Sequence, residues 1–313
     1  MNNLCGGSVM EYILETTKLT KTYGKSTVLD GVEIRIPKGS IFGLVGRNGA
    51  GKTTLMRLIT GLQDPTSGSY KLCGVDSKSG KIDRVRRRMG ALVETPGIYK
   101  NLTAADNLKV QFINLGLTSY GEIPEILELV GLSDTGKKKA GKFSLGMRQR
   151  LGLAIAMCGN PDLLILDEPI NGLDPQGIVE MRETLIKINR DKGTTILISS
   201  HILDEMSRLA THYAFIEKGH IIQEISSEDL MKKVRKCTVV KVSDTKTMAL
   251  VLEEMGLKYE IEDDDSLVSI FGLDNISPVV LNAAKKGIDV TDIKENDENL
   301  EGYFINLIGS KKV

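Results

Sequence analysis

The chain has 313 residues, of which 41% are hydrophobic and 26% charged, a composition typical of a folded globular protein rather than a disordered one. Its 41 basic and 41 acidic side chains cancel at pH 7, so no net charge draws it onto nucleic acid or an anionic membrane. The length suits about two domains, and no apolar run approaches the roughly 18 residues that a membrane-spanning helix needs.

The first part of the chain predicts strands ahead of a glycine-rich loop. Residues 1–10 are predicted to be an N-terminal tail, and strands are predicted over Tyr12–Thr22, Val28–Ile36 and Ile41–Val45. A helix is predicted to follow the loop. Its apolar positions are Leu55, Leu58, Ile59 and Leu62, with an interruption near Gly61.

The middle of the chain is predicted to be mostly helical between about residues 97 and 158. Thr103 is a predicted N-cap, and Gly131 is predicted to end a helix. Strands return at Leu163–Leu166 and Thr194–Ile198. Strands that alternate with helices around a continuous apolar strand indicate an α/β parallel sheet, into which the helical block is inserted.

The composition shifts after Lys236, and a second, smaller domain is predicted there. Strands are predicted at 238–242, 258–262, 267–271 and 288–293, with helices at 246–255, 276–286 and 298–308. This β-α-β-β-α-β order favours a ferredoxin-like α+β domain. The predicted domains are therefore 11–232 and 233–313. The acidic run at residues 262–265 is expected to be a solvated turn.

The four cysteines lie far apart and form no CxxC pair, which argues against both a disulfide framework and a zinc site. A reducing compartment fits this usage best. Cys158 falls within an apolar helical pattern, so we expect it to be a small buried hydrophobe.

The glycine-rich loop matches the phosphate-binding motif G-x-x-x-x-G-K-[ST] in full, between an apolar strand and a helix. Backbone N–H groups of such a loop surround phosphate oxygens, and the helix N-terminus adds positive potential. Lys52 is predicted to reach the β- and γ-phosphates of ATP, and the Thr53 hydroxyl to ligate Mg²⁺. The predicted nucleotide contacts are Gly46, Asn48, Gly49, Ala50, Gly51, Lys52, Thr53 and Thr54.

Two carboxylates follow the apolar strand Leu163–Leu166, 115 residues after Lys52. Asp167 is predicted to hold the water shell of Mg²⁺. Glu168 is predicted to orient and deprotonate the attacking water. An apolar strand that ends in acidic residues is common, and it is the pairing with the phosphate loop that makes the pattern specific.

With these motifs, residues 12–232 resemble the ATP-binding subunit of an ABC transporter. Phe143-Ser-Leu-Gly-Met147 resembles the signature loop of that family, and Asn171-Gly-Leu-Asp174 resembles the loop after its catalytic glutamate. Ser199-Ser-His201 resembles its switch histidine at a strand end. The resemblance implies an ABC-type P-loop ATPase with a parallel-sheet core, an antiparallel β subdomain and a helical insertion.

The resemblance also implies roles for five further residues. His201 is expected to contact the γ-phosphate as a catalytic residue, and Tyr23 to stack on adenine. Ser144, Gly146 and Asp174 are expected to bind the nucleotide held by a second subunit in a head-to-tail dimer. Ser144 is also a good N-cap, so the same side chain would aim a helix dipole at the phosphate.

Two departures from the family pattern stand out. Glu94 occupies the place where the family has Gln, and we expect it to act in catalysis and at the metal, changing either metal binding or coupling to a membrane partner. In the signature loop, Leu145 replaces the first Gly and Met147 the Gln of L-S-G-G-Q, while Ser144 and Gly146 remain.

The context Glu94-Thr-Pro-Gly, the altered signature loop and the second domain resemble the subgroup that serves bacitracin- and lantibiotic-type export and self-protection. This implies ATP hydrolysis that drives removal of an antimicrobial peptide through separate integral membrane permease subunits. The partner cassette is either identical or a sister subunit, and no nucleic acid is involved. The expected location is cytoplasmic, peripheral on the inner face of the cell membrane.

Other functions within the superfamily remain open at this point. Another exporter, of drugs or lipids, or an importer fits the same motifs, since substrate choice resides in the membrane subunits. A non-transport ABC ATPase acting on chromosomes needs a long coiled coil between Lys52 and Asp167, and 115 residues leave no room for one. The C-terminal domain either stabilises the dimer or regulates it.

Overall fold

A computed structural model describes residues 11–233, 237–261, 266–273, 275–296, 302–304 and 307. The chain divides into two compact units, residues 1–227 and 228–313. The predicted domain boundary at 232/233 lies in the helix Ser227–Lys233. Nowhere in the described ranges is a helix long and apolar enough to cross a membrane. The predicted tail, 1–10, and the acidic run, 262–265, lie outside the described residues.

The strands are numbered in chain order. They are β1 (Tyr12–Tyr23), β2 (Ser26–Val32), β3 (Arg35–Pro37), β4 (Ile41–Val45), β5 (Ser67–Leu72), β6 (Val75–Asp76), β7 (Met89–Leu92), β8 (Leu163–Asp167), β9 (Thr195–Ser200), β10 (His212–Glu217), β11 (His220–Ser226), β12 (Cys237–Val242), β13 (Lys258–Ile261), β14 (Leu267–Phe271) and β15 (Val290–Asn296).

The α-helices are numbered in the same way. They are α1 (Lys52–Thr60), α2 (Ile82–Arg86), α3 (Ala104–Asn114), α4 (Ile123–Leu129), α5 (Leu145–Met157), α6 (Pro175–Lys192), α7 (Leu203–Ser207), α8 (Ser227–Lys233), α9 (Thr245–Glu254) and α10 (Ser277–Lys285). Short 3₁₀ turns lie at Ser133–Thr135 and Ala140–Lys142.

The core of the first unit is a six-stranded sheet in the order β11-β10-β4-β9-β8-β7. Its strands are parallel except β11, which pairs antiparallel with β10. All residues of β4, β8 and β9 are buried, which explains their unbroken apolar sequences. The predicted parallel α/β sheet is confirmed, and its carboxyl edge carries the loops that follow β4, β8 and β9.

The second sheet of this unit is antiparallel, in the order β2-β1-β5-β6, with β3 also paired to β1. The single strand predicted over Val28–Ile36 is wrong, because β2 and β3 are separate strands. The Thr16 hydroxyl explains the break: it donates to the Val32 carbonyl and accepts from the Ile34 N–H. At the junction of β2 and β3, the Thr16 side chain of β1 thus takes the place of backbone hydrogen bonds of the ladder.

The helix after the phosphate loop ends earlier than its apolar pattern predicts. Gly61 caps α1 in a left-handed conformation, and its N–H donates to the Leu58 carbonyl. Leu62 therefore lies beyond the helix and is 66% exposed, so its prediction as part of the apolar helix face is wrong.

The inserted segment is helical as predicted. Thr103 caps α3 and accepts from the Asp106 N–H, which confirms the N-cap. α4 ends at Leu129, two residues before Gly131. Cys158 is buried after α5, and burial raises the pKa of its thiol to about 12, as expected for an inert apolar position.

The second unit contains a four-stranded antiparallel sheet in the order β13-β14-β12-β15, with α9 and α10 as its connecting helices. Val240, Val268 and Ile270 from the central strands share one buried cluster with Met248 of α9 and Ala283 of α10. The predicted ferredoxin-like arrangement is confirmed. Of the helix predicted at 298–308, residues 302–304 and 307 are described and are helical.

A close backbone approach joins the helical insertion to the parallel sheet. Gly90 of β7 lies against the end of α5, and a Cβ at this position would stand 1.9 Å from the backbone oxygen of Ala156. Only glycine fits without a shift of the strand or the helix. The packing of α5 on the sheet therefore depends on this residue.

We expect Gly90→Ala to destabilise the protein by about 1–3 kcal/mol, the usual cost of overpacking a core. Thermal unfolding followed by circular dichroism measures the change. Gly80→Ala is the matched control, since no atom lies within 4 Å of a Cβ built there. Equal melting temperatures for the two variants would contradict the assignment.

Candidate nucleotide-binding site

The glycine-rich loop joins β4 to α1 at the carboxyl edge of the parallel sheet, and α1 begins at Lys52 directly after Gly51. Gly46 permits the sharp exit from β4, because a Cβ there would lie 2.4 Å from the backbone oxygen of Ile216. The first N–H groups of α1 have no partner within the helix. They make the rim of the loop suited to an anion.

A cavity of about 180 Å³ lies beside this loop. Val28 of β2 lines it and is absent from the predicted set, since a lone apolar residue in a strand carries no motif. Gly46 and Ala50 belong to the same loop, and Ala50 is buried. The predicted site residues that line the cavity are Asn48, Gly49, Gly51, Lys52, Thr53, Thr54 and Glu168.

The Lys52 side chain is buried, with 5% of its surface exposed. Its Nζ donates to the Gly46 carbonyl at 2.7 Å and to the Arg47 carbonyl at 3.2 Å. The same atom lies 3.3 Å from Glu168 Oε1. A buried ammonium is thus paired with a carboxylate and two carbonyls at the floor of the loop, as a buried charge requires.

The Asp167 carboxylate, at the end of β8, is held by a hydroxyl on each oxygen. Thr53 Oγ1 donates to Asp167 Oδ2 at 2.8 Å, and Ser199 Oγ donates to Oδ1 at 2.6 Å. Ser199 was not predicted as a site residue. The register that opposes it to Asp167 in the β8–β9 pair could have indicated it.

Glu168 adopts a left-handed backbone conformation with φ +48°, which costs a residue other than glycine about 1–2 kcal/mol. Its N–H donates to Ser199 Oγ at 2.9 Å. Its Oε2 lies 2.8 Å from His201 Nδ1 and accepts from Asn171 Nδ2 at 3.2 Å. The structure therefore brings together Lys52, Glu168 and His201, three of the four residues predicted to be catalytic.

At this edge the Glu168 carboxylate contacts one ammonium and one imidazole, and the adjacent Asp167 carboxylate accepts from two hydroxyls. Glu168 is only 21% exposed, so its carboxylate has limited access to water and a fixed orientation between Lys52 and His201. A polyphosphate in the cavity would meet the N-terminus of α1 and the Lys52 ammonium. A water molecule beside Glu168 would meet an acceptor for its proton.

Glu94 follows β7, whose Leu92 pairs with Leu166 of β8, so it stands beyond the same sheet edge as Glu168. Its carboxylate forms an ion pair with Arg57 of α1, and its backbone has φ +64°. Glu94 is 55% exposed. Of the three residues predicted to hold the metal, Thr53 and Asp167 contact each other, whereas the Glu94 carboxylate pairs with Arg57.

Ser144 and Asp174 are both N-caps, of α5 and α6. Ser144 Oγ accepts from the Met147 N–H at 3.2 Å, and Asp174 Oδ1 accepts from the Gly177 N–H at 3.3 Å. Leu145 is 44% exposed at the start of α5. The two helix starts lie side by side, since a Cβ on Gly146 would be 3.4 Å from a methyl of Leu173.

Tyr23 lies at the end of β1 and is not among the residues that line the cavity. Its hydroxyl donates to Gln63 Oε1, and Lys21 Nζ sits 5.1 Å from the centre of its ring. The ring is 42% exposed. Stacking of Tyr23 on adenine stays a prediction.

Oxygen donors that suit Mg²⁺ meet at the Thr53–Asp167 contact, where a hydroxyl and a carboxylate are already in hydrogen-bond contact. In the described part of the chain, no group of three or more His, Cys, Asp or Glu side chains is placed to hold a metal ion. A hydroxyl and a carboxylate supply two oxygen ligands, which fits a Mg²⁺ ion that takes its other ligands from phosphate and water.

The fold and this site define a P-loop nucleotide-binding protein. The family model described as "ABC transporter" matches residues 29–171. The chain is 28% identical to the ADP conformation of MJ1267, an ATP-binding cassette of an ABC transporter, with a TM-score of 0.63. That similarity covers 71% of this chain and 94% of the other.

Two similar relatives carry transport names. The chain is 42% identical over 302 residues to the bacitracin transport ATP-binding protein BcrA of Enterococcus faecalis, covering 96% of this chain and 98% of the relative. It is 47% identical over 212 residues to the lantibiotic transport ATP-binding protein SrtF of Streptococcus pyogenes, covering 68% and 90%. The chain belongs to the ATP-binding subunits of ABC transporters, a family that hydrolyses ATP to power transport.

Proposed function

We propose that this ATPase powers the export or removal of an antimicrobial peptide of bacitracin or lantibiotic type through separate integral membrane subunits. The observation that carries the proposal is the 42% identity to a bacitracin transport ATP-binding protein over 96% of the chain. A match over 96% of the chain must include residues of the second unit. The match to the lantibiotic transport protein covers 68% of the chain and need not include them. Similarity beyond the cassette supports a shared transport system rather than shared ATP chemistry alone.

In the proposed reaction, the phosphate loop and Lys52 bind the phosphates of ATP. Thr53 and Asp167 would hold Mg²⁺, which neutralises phosphate charge when bound. Glu168 accepts the proton of the attacking water, and His201 orients the Glu168 carboxylate and contacts the γ-phosphate. The 2.8 Å contact between His201 and Glu168 supports this division of roles.

Closure over ATP is proposed to involve a second ATP-binding subunit, either a copy of this chain or a sister cassette. Ser144, Gly146 and Asp174 of one subunit would then meet the nucleotide bound by the other. The helix starts at Ser144 and Asp174, which lie side by side, support this role because helix N-termini favour phosphate. Leu145, exposed beside them, would be covered on closure.

The cassette is proposed to dock onto the membrane subunits at the inner face of the cell membrane. The contact surface would be residues 94–99 and the helical insertion. Tyr99 is 56% exposed at the end of this segment and supports an interface there. Glu94 lies at its start, where the ion pair with Arg57 is accessible to a partner. This arrangement would give the cassette a peripheral position on the membrane.

We expect Glu168→Gln to lower the rate of ATP hydrolysis by about 10²–10⁴-fold, because the amide cannot accept the proton of water. ATP binding should persist, since the substitution removes negative charge near the phosphates. Phosphate release and binding of a fluorescent ATP analogue measure the two effects. Glu183→Gln, the same change at an exposed position of α6, is the control. Wild-type hydrolysis by Glu168→Gln would refute the base assignment.

We expect Arg57→Gln to raise the KM for ATP two- to fivefold, in line with the ~0.2–1 kcal/mol of an exposed ion pair. Without Arg57, the Glu94 carboxylate repels the phosphates. In a Glu94→Gln background the same substitution should have no effect.

Glu94 could act at the metal or by charge pairing with Arg57. A Mg²⁺ titration of the wild type, Arg57→Gln, Glu94→Gln and the double variant separates these two roles. A rise in the Mg²⁺ concentration for half-maximal activity in Glu94→Gln alone would support a metal contact. An unchanged titration together with a coupled KM effect would support charge pairing with Arg57. If the effects of the two substitutions on the KM for ATP are additive, the proposed coupling between Arg57 and Glu94 is refuted.

The transport proposal is tested by expressing the chain with the membrane subunits encoded beside it in a sensitive host, then challenging with bacitracin and several lantibiotics. We expect resistance with the wild type and none with Lys52→Ala, which lacks the phosphate-binding ammonium. Lys187→Ala, an exposed lysine of α6, should retain resistance. If the wild type and Lys52→Ala are equally sensitive to every peptide, the antimicrobial-peptide proposal fails while membership of the family stands.

A further inference from the structure

One buried hydroxyl contacts both carboxylate residues of the candidate site. Ser199 is the second-last residue of β9 and is fully buried. Its Oγ donates to Asp167 Oδ1 at 2.6 Å and accepts the Glu168 N–H at 2.9 Å. A serine hydroxyl has one proton to donate and lone pairs to accept, so both functions are used, on two consecutive residues.

The contact falls where the strand ladder stops. Asp167↔Ser199 is the last pair of the β8–β9 register, and the next residue, Glu168, has left the strand with φ +48°. Beyond the last pair, a backbone N–H needs a partner other than the neighbouring strand. The Ser199 hydroxyl supplies that partner and so holds the strained peptide of Glu168 in place.

The orientation of Asp167 depends on the same atom. Thr53 donates to one carboxylate oxygen and Ser199 to the other. Rotation of the carboxylate would therefore break both hydrogen bonds. Two residues further along the chain, directly after the end of β9, His201 contacts the Glu168 side chain. The end of β9 thus fixes Glu168 at its backbone through Ser199 and at its carboxylate through His201.

We propose that Ser199 is a positioning residue of this ATPase: its hydroxyl sets the Asp167 carboxylate and the Glu168 backbone relative to each other for hydrolysis. The inference rests on the proposed roles of Asp167 and Glu168. The hydrogen bonds of Ser199 go to Asp167 and Glu168 rather than to the phosphate loop, so we expect its removal to lower kcat more than it changes the KM for ATP.

Steady-state ATPase kinetics of Ser199→Ala test the proposal. We expect kcat to fall about tenfold, the effect of one or two lost hydrogen bonds, with the KM for ATP within twofold of wild type. Ser199→Thr, which keeps the hydroxyl, should restore most of the rate. Thr195→Val is the matched control: it removes a buried hydroxyl from the start of the same strand, where Oγ1 accepts from the Gly39 N–H.

The background Glu168→Gln separates this inference from the proposed function. There, Ser199→Ala should lower the residual rate by clearly less than tenfold, because the part of its effect that acts through the Glu168 carboxylate is already lost and only the part that acts through Asp167 remains. Equal losses of kcat and melting temperature in Ser199→Ala and Thr195→Val would reduce Ser199 to a structural residue and overturn the inference. A wild-type rate for Ser199→Ala beside an inactive Glu168→Gln would overturn it while the base assignment stands. An active Glu168→Gln would instead refute the base itself.

Discussion

The candidate site depends on the parallel pairing of β8 with β9 and of β9 with β4. In this register Val45 opposes Ser200 and Asp167 opposes Ser199, so the loops after all three strands leave the sheet at one edge. Each of these strands is fully buried, so a slip of one residue would exchange the side chains on its two faces within a close-packed core. The hydrophobic core thus fixes the position of polar residues that contribute nothing to it.

Two adjacent carboxylates at this edge require compensation, since a poorly solvated charge is stable only when it is paired or hydrogen-bonded. Asp167 is compensated by two hydroxyls, and Glu168 by the Lys52 ammonium, the His201 ring and an amide. The compensating groups come from α1, β9 and the loops after β8 and β9. The site is therefore assembled from several segments of the chain. Removal of any of these partners leaves a carboxylate with one contact fewer.

The sequence predicted what depends on local pattern. The phosphate loop, the N-caps Thr103 and Ser144 and the strand before Asp167 each have a signature of neighbouring residues, and the structure contains them. Contacts that depend on register or on long side chains have no such signature. The Ser199–Asp167 hydrogen bond joins residues 32 apart in the chain, and the Arg57–Glu94 ion pair joins residues 37 apart. Neither contact has a signature in the neighbouring residues. The same reason explains the split between β2 and β3, which follows from the Thr16 side chain on another strand.

The residues at the sheet edge differ in how firmly they are held, and this difference bears on how the cassette can respond to a partner. Asp167 is buried and moves only if two short hydrogen bonds break. Glu94 stands two residues beyond its strand, is half-exposed, and has one ion pair of the exposed kind, worth at most about 1 kcal/mol. A partner that offers Glu94 a different cation can therefore shift this segment at small cost, whereas shifting Asp167 carries a penalty several times larger. Because Glu94 and Glu168 leave adjacent parallel strands, movement of the first changes the electrostatic field at the second without disturbing the core. Glu94 thus adds a negative charge at a point of this edge that is held by fewer contacts than Asp167.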